Sequence, residues 1–306
     1  MYDLVIVGGG PGGVAAGVYA ARKKIKTIIF AESFGGQSLV SAGIENWIGT
    51  KSVSGFDFAK MLEEHLRAQE DIDIVDGVLV QKVVKEGNSF KVTTSDGKEY
   101  QTKTVLLTSG SRRKKLGIPG EAKLDGRGVA YCSTCDAPIF KNKVVAVVGG
   151  GNAGLEAVLD LIPYATEIHL IQRSDVLKGD IITQEKIKSS PKVKVITMAK
   201  PLEIIGDKFV ESLKYEDRNT GETKEIKLEG VFVEIGSIPN ADMVKDSVEL
   251  NKYGEIVVDH KTQRTSLPGI WAAGDVSDVI YKQNNISAGD AVKAVLDIYD
   301  HLNRSL

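Results

Sequence analysis

Cys132 and Cys135 are the only cysteines in the 306-residue chain, and they stand two residues apart in Tyr131-Cys132-Ser133-Thr134-Cys135-Asp136. That spacing lets two thiols close a small ring as a disulfide and reopen it by thiolate attack. Three chemistries suit such a pair. A structural zinc site needs four ligands, yet His65, His169, His260 and His301 are scattered singly. Inert buried thiols are possible, because free cysteine packs as a small hydrophobe, but this stretch is a polar turn. A redox dithiol is the reading the residues favour. Asp136 then stands where a carboxylate could take and give protons as thiols and disulfide interconvert. Its alternative role is a turn or cap residue ahead of Ala137-Pro138.

Two glycine-rich turns flank this pair in the sequence. Gly8-Gly9-Gly10-Pro11-Gly12-Gly13 follows the apolar run Tyr2 to Val7, and Gly149-Gly150-Gly151-Asn152-Ala153-Gly154 follows Lys143 to Val148. In such a loop the first glycine (Gly8, Gly149) permits the tight turn and the second (Gly10, Gly151) lets backbone approach a pyrophosphate. The third (Gly13, Gly154) lets helix and strand pack closely. The helix N-terminus then offers free N–H groups to the phosphates. Glu32 ends the next strand after the first loop, at the ~20-residue distance expected for an acid on a ribose hydroxyl. After the second loop the corresponding strand ends in Gln172-Arg173-Ser174, with Lys178 beyond. Arg173 and Lys178 would tolerate or attract a 2′-phosphate; equally, Arg173 reads as a solvated surface charge. The lean is towards NADPH over NADH. Two dinucleotide sites and one dithiol imply an electron relay from nicotinamide through flavin to a disulfide.

The elements that must position these groups follow from the pattern. Gly12 to Lys24 is helical, Lys26 to Phe30 is a strand, and Leu62 to Gln69 is a helix. Asp73 to Lys85 and Ser89 to Thr94 read as hairpin strands, before the strand Val105-Leu106-Leu107-Thr108-Ser109-Gly110. The second block repeats the order: a helix near Gly151 to Leu161, then strands Glu167 to Ile171, Val193 to Met198, Lys208 to Asp217 and Glu225 to Val233, with a turn at Asn219-Thr220-Gly221. Beyond Pro239, Gly254 to Asp259 and Gly269 to Asp275 read as strands and Ser287 to Leu302 as an amphipathic helix. The expected fold class is α/β: two Rossmann-like three-layer nucleotide-binding domains, the second inserted in the first. The expected boundaries are 1–113 with 245–306, and 114–244.

Bulk properties exclude other classes. Hydrophobic residues at 42% and charged residues at 26% suit a globular protein, and a net charge of −2 gives no attraction to nucleic acid or anionic membrane. Glycine, at 32 residues, exceeds the usual ~7% while proline is only 8, which fits tight turns better than disorder. No apolar run reaches the ~18–20 residues of a membrane span, and the N-terminus lacks the pattern of an export signal. A cytoplasmic enzyme is expected.

The chain resembles the low-molecular-weight thioredoxin reductases and is similar to the flavoprotein core of the alkyl hydroperoxide reductase reductase subunit. The likeness spans nearly the whole chain. It rests on the two glycine loops, Gly35-Gly36-Gln37, Glu45-Asn46-Trp47, Thr108-Ser109-Gly110, Cys132 to Asp136, Gly274-Asp275, Tyr281-Lys282-Gln283 and Ser287-Ala288-Gly289-Asp290. The resemblance implies FAD in the outer, discontinuous domain. Gly8, Gly10, Pro11, Gly12 and Gly13 would lie at its pyrophosphate and Glu32 near the adenosine. Gly36, Gln37 and Asn46 would lie along the flavin with Gly110 close by. Gly274 and Asp275 would meet the ribityl chain, and Lys282 and Gln283 the isoalloxazine. The inserted domain would hold the nicotinamide nucleotide and the dithiol. Cys135 would face the flavin in one pose of swivelling domains, and Cys132 would meet a partner protein in the other. Homodimers are implied.

Two departures qualify the likeness. Thioredoxin reductases usually carry a His-Arg-Arg-x-x-x-Arg signature for the 2′-phosphate; Gln172-Arg173-Ser174 and Lys178 keep one arginine. The NADH-using hydroperoxide-reductase cores have an acid where Gln172 stands. Those cores also follow N-terminal thioredoxin-like domains, whereas this chain opens on the flavin domain, so a separate acceptor is expected: thioredoxin, or a thioredoxin-like or glutaredoxin-like protein. The alternatives are a ferredoxin-linked flavin thioredoxin reductase, against which the intact Gly149 to Gly154 loop argues, and an NADH-dependent reductase serving a peroxiredoxin system. Of another class are a flavin-dependent NAD(P)H oxidase with incidental cysteines and a redox-sensing flavin-binding module.

Overall fold

A computed structural model describes residues 1–41 and 43–304; the side chains of Val40 and Arg304 lie outside the described set. The chain divides into two compact units, one of residues 1–39, 46–112 and 238–306, the other of residues 40–45 and 113–237.

In the first unit β1 (Tyr2–Gly9) runs into α1 (Pro11–Arg22), and β2 (Thr27–Phe34) pairs parallel to β1. Leu4, Val5 and Ile6 are wholly buried, as a parallel strand covered on both faces requires. Next comes α2 (Gly55–Arg67), which starts earlier than expected because the Ser54 hydroxyl accepts the Asp57 N–H and caps it. The expected hairpin strand Asp73 to Lys85 is two strands. β3 (Ile72–Asp76) pairs parallel with β2, and β4 (Val80–Glu86) pairs antiparallel with β5 (Ser89–Thr94). Gly77, at φ +70, turns the chain between them. β6 (Glu99–Leu107) begins against β5 and continues parallel to β1. The crossing segment contains β7 (Ser111–Arg113).

The second unit contains β8 (Val129–Ala130), the four-residue α3 (Ser133–Asp136), β9 (Val144–Val148), α4 (Asn152–Leu161), β10 (Glu167–Ile171), α5 (Ile181–Lys188) and β11 (Val193–Ile196). An antiparallel sheet follows: β12 (Ala199–Ile205), β13 (Ser212–Asp217) and β14 (Glu222–Lys227). β12 was hidden in the sequence by Pro201, which sits at a register shift where the ladder is interrupted. β15 (Gly230–Val233) is separate from β14 and joins the parallel sheet, ordered β11-β10-β9-β15-β8. One face of that sheet packs Val145, Val147 and Phe232 against Leu155 and Val158 of α4. The other packs Ala146, Val148 and Val231 against Leu213 of β13. Three layers result.

After β16 (Ser237–Pro239) the chain is back in the first unit, where Ala241 and Val244 join its core. The expected strand Gly254 to Asp259 is absent. Its backbone makes isolated bridges only, Ile256 to Leu250 and Ser277 and Asp259 to Arg264, and the Val258 N–H between them bonds the Asp278 side chain, so no continuous ladder forms. β17 (Ile270–Ala272) lies parallel to the end of β6, and α6 (Asn284–Arg304) packs on α1 and β17.

Asp297 of α6 fastens that last contact: Oδ2 accepts the indole N–H of buried Trp271 at 2.9 Å and Nε–H of Arg264 at 2.6 Å. Asp297→Ala leaves the Trp271 donor buried and unpaired, so it should lower the unfolding free energy in urea by about 1–3 kcal/mol. Asp297→Asn, which keeps an acceptor, should cost less; equal losses for the two variants would show that the hydrogen bond contributes nothing.

Candidate functional site

The two glycine loops have the same stereochemistry. Gly8 (φ +117) and Gly149 (φ +129) are left-handed, and a Cβ on either would strike a carbonyl on the neighbouring strand end, that of Thr108 or of Glu234. A Cβ on Gly13 would overlap the Gly8 carbonyl oxygen, and one on Gly154 that of Gly149. The helices therefore start directly over the strand ends. Gly10 and Gly151 are the N-cap residues of α1 and α4, and neither N-terminus has a side-chain cap. The space beyond Gly151 is open to 4 Å, and Gly10 meets only Gly36. Uncapped N–H groups in an open cradle fit a diphosphate. On that ground the residues present fit FAD at the first loop and a pyridine nucleotide at the second.

In the first unit, Glu32 is exposed near the end of β2, and Gly36 and Gln37 are exposed in the turn after it. Pro11 opens α1, and Gly12 packs so closely that a Cβ would meet the Ser287 hydroxyl. Gly110 (φ +66) accepts the Asn240 N–H. Gly274 (φ +72) has no room for a Cβ beside Ser287. Asp275 Oδ2 accepts from Ser111 at 3.5 Å. The Lys282 ammonium donates to the carbonyls of Ser277 (2.6 Å) and Asp275 (3.4 Å) and pairs with Glu255, which fixes the Asp275 loop. Asn46 Nδ2 donates to Gln283 Oε1 at 3.3 Å, bringing two expected flavin neighbours together. Asn284 and Asn285, which the sequence reading missed, support them. Asn284 accepts from Ser38, and Asn285 donates to the Asn46 carbonyl at 2.7 Å and accepts from Ile48 N–H.

In the second unit, a cavity of about 560 Å³ opens over the glycine loop, with Gly149, Gly151, Asn152, Ala153, Arg173, Ser174 and Lys178 on its wall. Lys178 N–H bonds the Gly150 carbonyl, and Asn152 Oδ1 accepts the Asp180 N–H, which ties the segment after β10 over the loop. Gln172 is inward-facing. Its Oε1 accepts the Gly150 N–H at 3.0 Å and its Nε2 donates to Ser174 Oγ and the Val176 carbonyl. It braces the loop, leaving the cations to face a ligand. The wall also holds Arg218, which the sequence reading missed; it donates through Nη1 to the Arg173 carbonyl at 3.2 Å. Its position just before the Asn219–Gly221 turn gave no signal, because only the β13–β14 hairpin carries it back to β10.

Cys132 and Cys135 are joined as a disulfide, with Cα atoms 5.4 Å apart, across α3. The Asp136 N–H bonds the Cys132 carbonyl at 3.0 Å. Asp160 of α4 accepts from the hydroxyls of Ser133 (2.8 Å) and Thr134 (3.3 Å). Half-buried Asp136 is pushed up to about 6 by desolvation, opposed by a 3.4 Å bond from the Ser41 hydroxyl. It therefore changes charge close to neutral pH. Glu234, missed in the sequence, ends β15; its one signal was a lone acid closing the apolar run Val231 to Val233.

The family model of pyridine nucleotide-disulphide oxidoreductases matches residues 2–292. The chain is 46% identical over 307 residues to the F subunit of alkyl hydroperoxide reductase from Pseudomonas putida, covering 99% of this chain and 59% of that protein. Thus it spans about 60% of the length of the curated relatives it matches. Among solved structures, thioredoxin reductase from Streptococcus pyogenes superposes with a TM-score of 0.91 at 33% identity, over 99% of both chains. That of T. acidophilum does so with a TM-score of 0.69 at 38% identity, again over 99% of both. The chain belongs to the pyridine nucleotide-disulphide oxidoreductase family, and its two cysteines form a disulfide.

Proposed function

We propose that the chain passes electrons from NADPH through FAD and the Cys132–Cys135 pair to a thioredoxin-like or glutaredoxin-like protein. The observation that carries this reading is the disulfide built into the nucleotide-binding unit, on a turn bonded to the helix that starts at the second glycine loop. FAD is assigned to the domain expected at 1–113 and 245–306, and the nucleotide with the dithiol to 114–244. When bound, FAD supplies the two-electron chemistry linking nicotinamide oxidation to disulfide reduction.

The chain's own residues do the rest. Amides at the start of α1 and α4 bind the diphosphates. Gln283, held by Asn46, and Asp275, held by Ser111 and the Lys282-braced loop, orient the flavin side. After reduction, the Cys132 thiolate attacks one sulfur of the partner's disulfide; that S–S bond breaks, a mixed disulfide forms, and one partner thiolate leaves. The Cys135 thiolate then attacks Cys132 Sγ, the mixed disulfide breaks, and the second partner thiolate leaves with the electron pair. Asp136 carries a proton below about pH 6 and accepts one above it.

NADPH is favoured by Arg173, Lys178 and Arg218 around the end of β10. Among the described residues the only carboxylate on the cavity wall is Glu234, two strands away at the end of β15. A second reading, a reductase feeding a peroxiredoxin system through a separate carrier, is favoured by the likeness to the alkyl hydroperoxide reductase flavoprotein. Both readings use the same dithiol. We infer a cytoplasmic homodimer. Among the described residues no helix is long and apolar enough to cross a membrane, and exposed Ile280 and Tyr281 offer apolar surface for a second copy.

Cys132→Ser should abolish turnover with a disulfide-protein acceptor while NADPH still bleaches the flavin in an anaerobic stopped-flow experiment; retained turnover would refute the relay. Arg173→Ala and Arg218→Ala each remove a charge-assisted contact of about 1.5–3 kcal/mol. Each should weaken NADP⁺ binding about tenfold to a hundredfold in calorimetric titration and NAD⁺ binding much less. Equal losses for both nucleotides would show that neither arginine reads the 2′-phosphate, and flavin bleached by neither NADPH nor NADH would favour a ferredoxin donor.

A further inference from the structure

Glu121 is a carboxylate only 3% exposed, and the electron relay gives it no role. Its two oxygens hold three donors. Oε1 accepts the Leu116 N–H at 2.9 Å and the Tyr131 hydroxyl at 3.0 Å, and Oε2 accepts the Gly117 N–H at 2.8 Å. The two amides close the segment after β7 into a loop. That loop is seated on the antiparallel sheet: the Ile204 N–H of β12 bonds the Pro119 carbonyl at 3.0 Å, and a Cβ on Gly120 would strike the Ile204 carbonyl oxygen. The third donor comes from another segment. Tyr131 is the residue between Ala130, which ends β8, and Cys132. The Lys115 ammonium lies 4.9 Å from the centre of its ring and pairs with Asp125 at 2.6 Å, so the ring is held as well as the hydroxyl. Burial raises the Tyr131 hydroxyl above its ordinary value, and the negative charges of Glu121 and Asp125 raise it further, so the donor keeps its proton at neutral pH.

We propose that Tyr131 is a positioning residue for the dithiol: its hydroxyl, held by Glu121, pins the chain one residue before Cys132 whether the disulfide is closed or open. This rests on the relay reading above, in which Cys132 attacks the partner and Cys135 resolves the mixed disulfide. On the other side of Cys132, Asp160 holds the turn through the hydroxyls of Ser133 and Thr134. Cys132 therefore lies between two side-chain anchors, and neither depends on the S–S bond. Resolution requires the Cys135 thiolate to reach Cys132 Sγ, and confinement of the turn raises the effective concentration of one sulfur at the other. A four-residue helix cannot keep that order by itself once the disulfide opens. Loss of the Tyr131 bond frees the open turn more than the closed one, which the S–S bond still restrains. The sign follows: without the hydroxyl the disulfide closes less readily, so its reduction potential rises.

The test equilibrates the FAD-loaded full chain anaerobically, at neutral pH, in graded mixtures of reduced and oxidised glutathione and of reduced and oxidised dithiothreitol. Samples are quenched with acid, free thiols are alkylated, and the fraction of closed disulfide is read by mass spectrometry. Tyr131→Phe keeps the ring beneath Lys115 and removes only the hydroxyl. It should lower the effective concentration of the closing thiol about threefold or more, equivalent to a rise of about 14 mV or more in reduction potential. Asp297→Ala, which weakens the fold of the first unit through Trp271, should leave that equilibrium where it is in the parent. A Tyr131→Phe pair that closes as readily as the parent pair would overturn the positioning role and leave the relay standing. An equal shift in Asp297→Ala would overturn it too, because loss of stability would then account for the effect. If the cysteines of the unsubstituted chain exchange with neither buffer, the relay reading falls and the positioning role with it.

Discussion

The close approach of a helix start to a strand end is the constraint on which the rest of this molecule depends. It occurs twice, over Gly8 and over Gly149, and each time the third glycine of the loop must lack a Cβ because a carbonyl oxygen occupies its place. The geometry leaves the first N–H groups of α1 and α4 without side-chain caps. Such donors facing an open cradle favour an anion, so phosphate affinity is a consequence of how tightly helix and sheet pack. The same crossover orders the parallel sheets, since every βα step must return over its own strand.

The redox turn depends on a different physics. A four-residue helix cannot sustain itself, because nucleation uses up more conformational freedom than its few hydrogen bonds recover. The disulfide closes the turn only in one redox state. When it opens, the non-covalent ties remain: Asp160 on the Ser133 and Thr134 hydroxyls, and the Asp136 N–H on the Cys132 carbonyl. This accounts for acidic side chains around a pair of thiols that must themselves ionise. Their burial raises Asp136 and Glu234 into the neutral range, which limits the negative charge that would otherwise oppose thiolate formation.

The first unit is assembled from distant parts of the chain. Asn46 meets Gln283 and Asn285, Ser38 meets Asn284, and Ser111 meets Asp275. These contacts hold because β17 and α6 return to the sheet begun by β1, pinned by Asp297 on Trp271 and Arg264. Loops that carry chemistry are here braced by polar bonds across long sequence separations on a rigid parallel core.

The sequence by itself determined the strand–loop–helix units at Gly8 and Gly149, the dithiol turn and its following acid, because each depends on residue types at fixed short spacing. Glycines with no tolerated substitute and thiols three positions apart state their local geometry directly. Only the tertiary structure decided the rest. Pro201 concealed β12, which is tolerated at a register shift. A run at Gly254 to Asp259 with strand-like composition makes isolated bridges and one side-chain bond, from Val258, instead of a continuous ladder. Gln172 stands where a ribose-reading acid was sought and proved to be a brace for the Gly150 amide. Arg218 and Glu234 entered the site through strand pairing and register, which bring together side chains that share no local pattern. Spacing is local, whereas burial, charge environment and partnership are properties of the packed chain, and those are what turn a polar residue into a functional one.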